Sequence, residues 1–297
     1  MLIAHLSDPH MRDAADVIWL ERQLDRIASR HVDHLAVTGD LLDRWNPRLL
    51  SRALDAFASR GWLDPERLTI LHGNHDLASS GGHPRRGADL WRLATRFWDP
   101  PPLVSWRRRR FYRAIADRCA SRTGEECLVA HPAPFSKTLA AGARIAVIDT
   151  VALPRAPFTL RDGSITVHHA IGCIPKSQTD WLARLAPDRG PLIVLMHHVP
   201  LGTPGFTWTS NPSWGVRLPN FHVPMHIEEP DRARFWTAAR RSSARLVLCG
   251  HVHRSRLEWN DGIAVGVNGQ SGAAWAGRPV AFYEVDAERV TMETEVV

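Results

Sequence analysis

Five short polar motifs punctuate this chain, and each follows an apolar run of β type. In order they are Asp8-Pro9-His10, Gly39-Asp40, Gly73-Asn74-His75-Asp76, His197-His198 and Gly250-His251-Val252-His253. Such a run followed at once by Gly, Asp, Asn or His marks a buried strand giving way to a loop. If the runs are parallel neighbours, all five loops open at one sheet edge, where open α/β sheets bind their ligands. The pattern thus constrains fold and chemistry together.

The segments between the motifs support an α/β class. Leu2–Ser7, Leu35–Thr38 and Leu68–Leu71 read as strands. Between them, Asp16–Arg30 and Pro47–Arg60 carry apolar residues at helical spacing: Val17, Leu20, Leu24 and Ile27, then Leu50, Leu54 and Phe57. This alternation predicts a parallel core with right-handed crossovers. Residues 79–126 break it. They read as a helical insertion beside the site, with helices near Ala88–Phe97 and Arg110–Ser121 separated by Pro100-Pro101-Pro102. Further strands are expected at Cys127–Ala130, Arg144–Asp149, Ile165–Ile174, Leu192–Met196 and Leu246–Cys249, and helices at Ser177–Leu185 and Asp231–Arg241. Residues 199–227 read as a long loop leaving the His197 position, and the tail from Leu257 as antiparallel strands. Residues 1–297 are taken as a single domain.

Composition excludes several classes. No apolar run approaches the roughly 20 residues of a membrane span, and with the first strand read from Leu2 no signal peptide is expected. The net charge of +6 is almost all arginine, since Lys137 and Lys176 are the only lysines. That reads as general surface charge. Cys119, Cys127, Cys173 and Cys249 show no C-x-x-C spacing and read as reduced, mostly buried thiols. The expected location is cytoplasmic.

Each motif alone has a plain alternative. Asp8 could cap a turn beside a stray His10, and Gly39-Asp40 and Gly73-Asn74 are ordinary turn pairs. Together they supply carboxylate or amide donors and imidazoles, the set that suits a transition-type cation. Asp40 has two oxygens with which to bridge two cations. His75 could protonate a leaving group, with Asp76 fixing its tautomer. One of His197 and His198 should face the site, the pleat sending the other elsewhere. Asp43 and Asp76 are expected behind the ligands.

The ordered set D-x-H, G-D-x-x-D, G-N-H-D, H-H and G-H-x-H resembles the calcineurin-like metallophosphoesterases, from Leu2 to about His253. The resemblance implies a four-layer β-sandwich flanked by helices. It implies that Asp8, His10, Asp40 and His253 hold one metal, and Asp40, Asn74, His197 and His251 the other. His75 is then the catalytic histidine, acting with Asp40 and Asn74, while His198 lies behind the ligands or in the core. The implied cofactor is a pair of divalent or mixed-valence ions, Mn, Fe or Zn. The implied reaction is phosphoester hydrolysis by metal-bound hydroxide.

A phosphodiester of a small molecule, such as a cyclic nucleotide or a glycerophosphodiester, is the expected substrate. Phosphomonoesterase or nuclease activity is the alternative, and a non-catalytic interaction scaffold is a third reading. The family branch that cleaves a UDP-sugar pyrophosphate typically has Arg where this chain has His75. Candidate substrate contacts are Arg107 and Arg110, in a basic run at the front of the second inserted helix, and Trp208, Trp214 and His222 in the 199–227 loop. The basic run also offers a peripheral contact to anionic lipid, and nucleic acid is a less favoured partner.

Overall fold

The computed structural model describes residues 1–79, 99–119, 128–152, 158–168, 170–185, 190–202, 206–208, 220–269, 279–286 and 288–296. The first half follows the expected alternation: β1 (Leu2–Leu6), α1 (Ala14–Ser29), β2 (His34–Thr38), α2 (Pro47–Ser59) and β3 (Leu68–Leu71). The helices start where their caps dictate. Asp13 accepts from the Ala15 and Asp16 amides, and Asn46 from those of Arg48 and Leu49, just before Pro47 opens α2. β1, β2 and β3 pair in parallel, and the tail strands β14 (Pro279–Val285) and β15 (Val290–Val296) extend the sheet antiparallel beyond β1.

The second half builds another sheet. Its strands are β4 (Phe135–Thr138), β5 (Arg144–Val147), β8 (Leu192–Leu195), β11 (Ala244–Cys249), β12 (Arg256–Asn260) and β13 (Ile263–Val267). Their order is β12-β13-β11-β8-β5-β4, with β5, β8, β11 and β13 parallel. The motifs are therefore not at the edge of one sheet. Three leave the first sheet and two leave the second.

Side-chain alternation stacks these sheets. Ile3, Ala36 and Leu71 meet Val147, Ile193, Leu195, Leu246 and Leu248 in one buried cluster between them. The intervening residues point outward. Leu35 and Val37 pack with Leu24, Leu54 and Phe57, and with Phe111 and Ile115 of α3 (Pro101–Ala116). On the far side, Val194 and Val247 pack with Leu182 of α4 (Lys176–Ala183) and Phe235 of α5 (Glu229–Arg241). The period of two thus produces the expected four layers: helices, sheet, sheet, helices.

Several expectations are corrected. The proline run enters the second inserted helix, which starts earlier than Arg110. Pro101 and Pro102 occupy the first turn of α3, where a missing N–H costs nothing. Arg107–Arg110 therefore lie mid-helix, not at its front. Residues 128–130 form a turn, and the strand falls at β4 instead. The 165–174 strand shortens to β7 (Ser164–Val167), which forms a hairpin with β6 (Phe158–Arg161) through Asp162-Gly163, both at positive φ. The 199–227 loop contains β9 (Phe206–Trp208) and β10 (Asn220–Val223), which join that hairpin in a third sheet. Cys119 is disulfide-bonded, so the reading of four reduced thiols fails, and the cytoplasmic expectation loses the support it drew from them. The expected helix 88–97 lies outside the described residues. No helix among the described residues is long and apolar enough to cross a membrane.

Candidate metal centre

The first and second sheets turn the same end toward one cluster. Its backbone is unusual. Asp8, His10, Asp40, His251 and His253 all have positive φ, between 44° and 69°. Left-handed backbone curls each loop back over its strand end at a steric cost that Asp and His bear better than most residues. Gly39, at φ +101°, has no such latitude to spare: a Cβ there would lie 2.6 Å from the Gly73 amide and 2.7 Å from His197 Nδ1.

Each carboxylate is half satisfied. Asp8 Oδ2 accepts from the Ser7 hydroxyl (2.6 Å) and the His251 amide (2.8 Å). Asp40 Oδ1 accepts from the His75 amide at 2.7 Å. The other oxygens, Asp8 Oδ1 and Asp40 Oδ2, are buried with no hydrogen-bond partner. They face imidazoles instead. Asp8 Oδ1 lies 3.7 Å from His10 Nε2 and 3.5 Å from His253 Nε2. Asp40 Oδ2 lies 3.7 Å from His10 Nε2 and 3.3 Å from His197 Nε2, so one oxygen stands between two groups of ligands.

The histidines are oriented from behind. His197 Nδ1 is 2.8 Å from the Thr38 carbonyl, and His251 Nε2 is 2.9 Å from the Ala170 carbonyl. Those bonds require N–H at the far nitrogens and aim the lone pairs of His197 Nε2 and His251 Nδ1 at each other across 3.2 Å. Asn74 Oδ1, another acceptor, sits 2.9 Å from the same His197 Nε2. His10 Nε2 and His253 Nε2 are 3.1 Å apart. Donor atoms about 2.1 Å from a shared cation lie roughly 3.0–3.5 Å from one another. The facing lone pairs and orphaned oxygens fit divalent cations on that geometry. The charge balance points the same way. Burial opposes charge on His197, yet Asp40 outweighs it and pushes the imidazole up to about 9, so Nε2 is a position that draws positive charge, whether a proton or a cation that replaces it. Burial would raise Asp8, but the neighbouring imidazoles of His10 and His253 hold it well below the usual carboxylate range.

The surrounding residues depart from expectation in part. Asp76 is committed elsewhere than to the His75 ring nitrogen Nδ1, which faces the Asp43 carbonyl. Its carboxylate accepts from the amides of Leu41, Leu42 and Gly73, tying two motif loops together. The Asp43 carbonyl, 2.9 Å from His75 Nδ1, holds that ring, while Asp43 Oδ1 lies 3.9 Å from His10 Nδ1. His198 is not sent away from the site. β8 ends at Leu195, so the pleat no longer governs, and His197, His198 and His251 group together. His198 Nδ1 meets Thr150 Oγ1 at 2.8 Å, a partner no motif announced.

The expected substrate contacts scatter. Arg107 is buried and paired with Asp99 at 2.8 Å, and it donates to the Leu77 carbonyl at 2.7 Å, so it is a structural residue. Arg110 is exposed and stacks over Trp106. Trp208 lies in β9 and His222 in β10, and neither strand contributes to the clustered ligands among the described residues. Trp214 lies outside the described residues.

A helix-flanked double sheet with Asp, Asn and His ligands gathered at its strand ends defines a metal-binding α/β sandwich. The calcineurin-like phosphoesterase pattern matches residues 1–255, and the chain belongs to that family. The family is one of dimetal phosphoesterases. The fold is similar to a dimetal phosphatase from Danio rerio, at TM-score 0.59 and 13% identity, over 100% of this chain and 96% of that one. It is also similar to GAP50, the anchor in the inner membrane complex of Plasmodium, at TM-score 0.51 and 11% identity, over 100% and 84% of the two chains. At such identities the likeness is one of fold. No curated protein sequence matches the chain.

Proposed function

We propose that this protein hydrolyses phosphodiesters of small molecules, such as cyclic nucleotides or glycerophosphodiesters, with residues 1–297 acting as one catalytic unit. Asp8, His10, Asp40 and His253 hold one divalent cation, and Asp40, Asn74, His197 and His251 the other, drawn from Mn, Fe or Zn. The observation that carries this is the placement of the partnerless Asp40 Oδ2 between His10 Nε2 and His197 Nε2. When bound, the cation pair supplies Lewis acidity toward the phosphoryl oxygens and lowers the pKa of an attacking water.

The chain's own groups do the rest. Asn74 presents Oδ1 to the cluster, and its buried Nδ2 has no hydrogen-bond partner, so that N–H is ready to donate to a phosphoryl oxygen. With His75 Nδ1 engaged by the Asp43 carbonyl, Nε2 is the atom that delivers a proton to the leaving oxygen. A proton donor there lowers the barrier most when the departing alkoxide is basic, which supports an ester with a poor leaving group. The nuclease alternative wants a continuous basic track, and burial of Arg107 takes one guanidinium out of it. A scaffold role, suggested by the GAP50 description, is opposed by a complete set of ligand positions.

Metal analysis after reconstitution with Mn, Fe or Zn, followed by a hydrolysis panel, tests this. The panel holds bis(p-nitrophenyl) phosphate, p-nitrophenyl phosphate, cyclic AMP, a glycerophosphodiester and single-stranded DNA. Two metals per chain and faster turnover of the small diesters are expected. Faster turnover of the monoester would transfer the assignment to a phosphomonoesterase, and two bound metals without any hydrolysis would leave the scaffold.

A further inference from the structure

One wall of the site is built by residues outside all five motifs. His72 directly follows β3, and Asp149 lies two residues past β5, so both stand at the end of the sheets where the ligands cluster. β3 pairs with β2, which leads to Asp40, and β5 pairs with β8, which leads to His197. The inserted helix α3 lays Arg108 across this seam. Arg108 Nε lies 3.4 Å from His72 Nε2 and 3.5 Å from Asp149 Oδ2, and Nη2 donates to the Val151 carbonyl at 2.7 Å. His72 is itself oriented by Tyr112, whose hydroxyl is 2.8 Å from Nδ1. Asp149 accepts from the Val151 amide at 2.7 Å.

The result is a guanidinium fixed through two of its three nitrogens. The third, Nη1, has no partner among the described residues, and the side chain keeps 21% of its surface open. Arg107, one residue earlier, shows what a purely structural arginine looks like here. It is about 7% open, and Nη1 and Nη2 are both taken up by Leu77, Asp99 and Ser79. The wall holding Arg108 is continuous with the ligands on both sides: Asn74 is two residues beyond His72, and Thr150, beside Asp149, bonds His198.

We propose that Arg108 is a substrate-binding residue, its Nη1 donating to an anionic phosphoryl oxygen of the ester held at the metal cluster. The inference rests on the phosphoesterase reading above. A guanidinium already fixed in place gives up little freedom when it takes an anionic oxygen, and a charge-assisted bond of this kind is among the stronger ones a site can offer. The helical insertion then has a function: it delivers a substrate contact that the strand-end motifs do not encode.

The test uses the metal-loaded full chain, with inorganic phosphate as the probe. Arg108→Gln should weaken phosphate binding by calorimetry, and raise both its inhibition constant and the KM for bis(p-nitrophenyl) phosphate, by about tenfold, with a smaller change in kcat. Arg108→Lys should fall between, keeping the charge but losing the fixed fork. Arg109→Gln, at an exposed neighbour, should leave all three unchanged. Metal content and thermal midpoint are measured on every variant. Phosphate affinity within twofold of wild type in Arg108→Gln would overturn the proposal. So would loss of metal in both Arg108 variants with unchanged phosphate affinity in the loaded fraction, which would make Arg108 a structural brace. A wild-type protein that loads two metals yet neither binds phosphate nor hydrolyses any ester fails the function itself, an outcome distinct from either.

Discussion

The two sheets contribute different chemistry to the cluster. The first, through β1, β2 and β3, brings the carboxylates and the amide: Asp8, Asp40 and Asn74, with His10 and His75. The second, through β8 and β11, brings only imidazoles: His197, His198, His251 and His253. Neither half offers enough donors for two cations. The site exists only while the apolar layer of Ile3, Ala36, Leu195 and Leu248 holds the halves in register. Folding of the inter-sheet core and assembly of the metal centre are therefore one event, not two.

The largest break in this comparison comes from the residue that stands between the halves. Asp40→Ala should abolish binding of both metals and reduce turnover by at least about a hundredfold, read by metal analysis and initial rates. Retention of one metal would show that only one of the two cations depends on the bridge. His75→Ala touches only the first half. It should keep both metals and lower kcat by roughly 10²–10⁴, most for esters with poor leaving groups. Loss of metal with rate would make His75 structural.

A matched pair of core truncations sharpens the point. Leu195→Ala lies between the sheets and Leu54→Ala under the outer helices, and both side chains are fully buried. Each should lose about 2–5 kcal/mol in denaturant unfolding. Only Leu195→Ala should also weaken metal affinity, because only it loosens one half against the other. Equal effects on metal affinity would dissolve the distinction.

The smallest effect concerns two histidines of the first sheet. Burial, as the main cause, lowers His5 and His34 from 6.5 to about 3. His34 meets the Glu66 carbonyl and Thr69, at the end of β2 away from the ligands. Between those pH values the unfolded chain binds protons that the folded chain refuses. Stability is therefore full above about pH 6.5 and falls as pH drops toward 3. His34→Gln should lose less stability than wild type between pH 7 and 4.5, and an identical loss would remove His34 as a contributor.

Much of this was legible in the chain itself. β1, α1, β2, α2 and β3 follow from periodicity, since Val17, Leu20, Leu24 and Ile27, and Leu50, Leu54 and Phe57, are buried as their spacing demands. The motifs named the ligand positions because a metal site needs particular donors and a strand end needs turn-forming residues. What was not legible depends on contacts between distant segments. Nothing in the runs before His197 and His251 tells that β8 and β11 belong to a different sheet from β1. Arg107 and Arg108 are adjacent and chemically identical, and only the positions of Asp99 and Asp149 make one a brace and leave the other open. Asp76 and Asp43 exchange expected roles because the backbone of Asp43, not its side chain, reaches His75.

The left-handed backbone of Asp8, His10, Asp40, His251 and His253 carries one more consequence. Asp and His are among the few side chains that suit such cations and also among the few that tolerate that conformation. Each of these five positions is thus selected twice, by coordination and by backbone shape. Redesign toward cysteine or glutamate donors would meet resistance from the chain path before the metal was ever consulted. Asparagine, which suits that backbone, is the swap by which a single donor's charge could be altered with the loop left as it is.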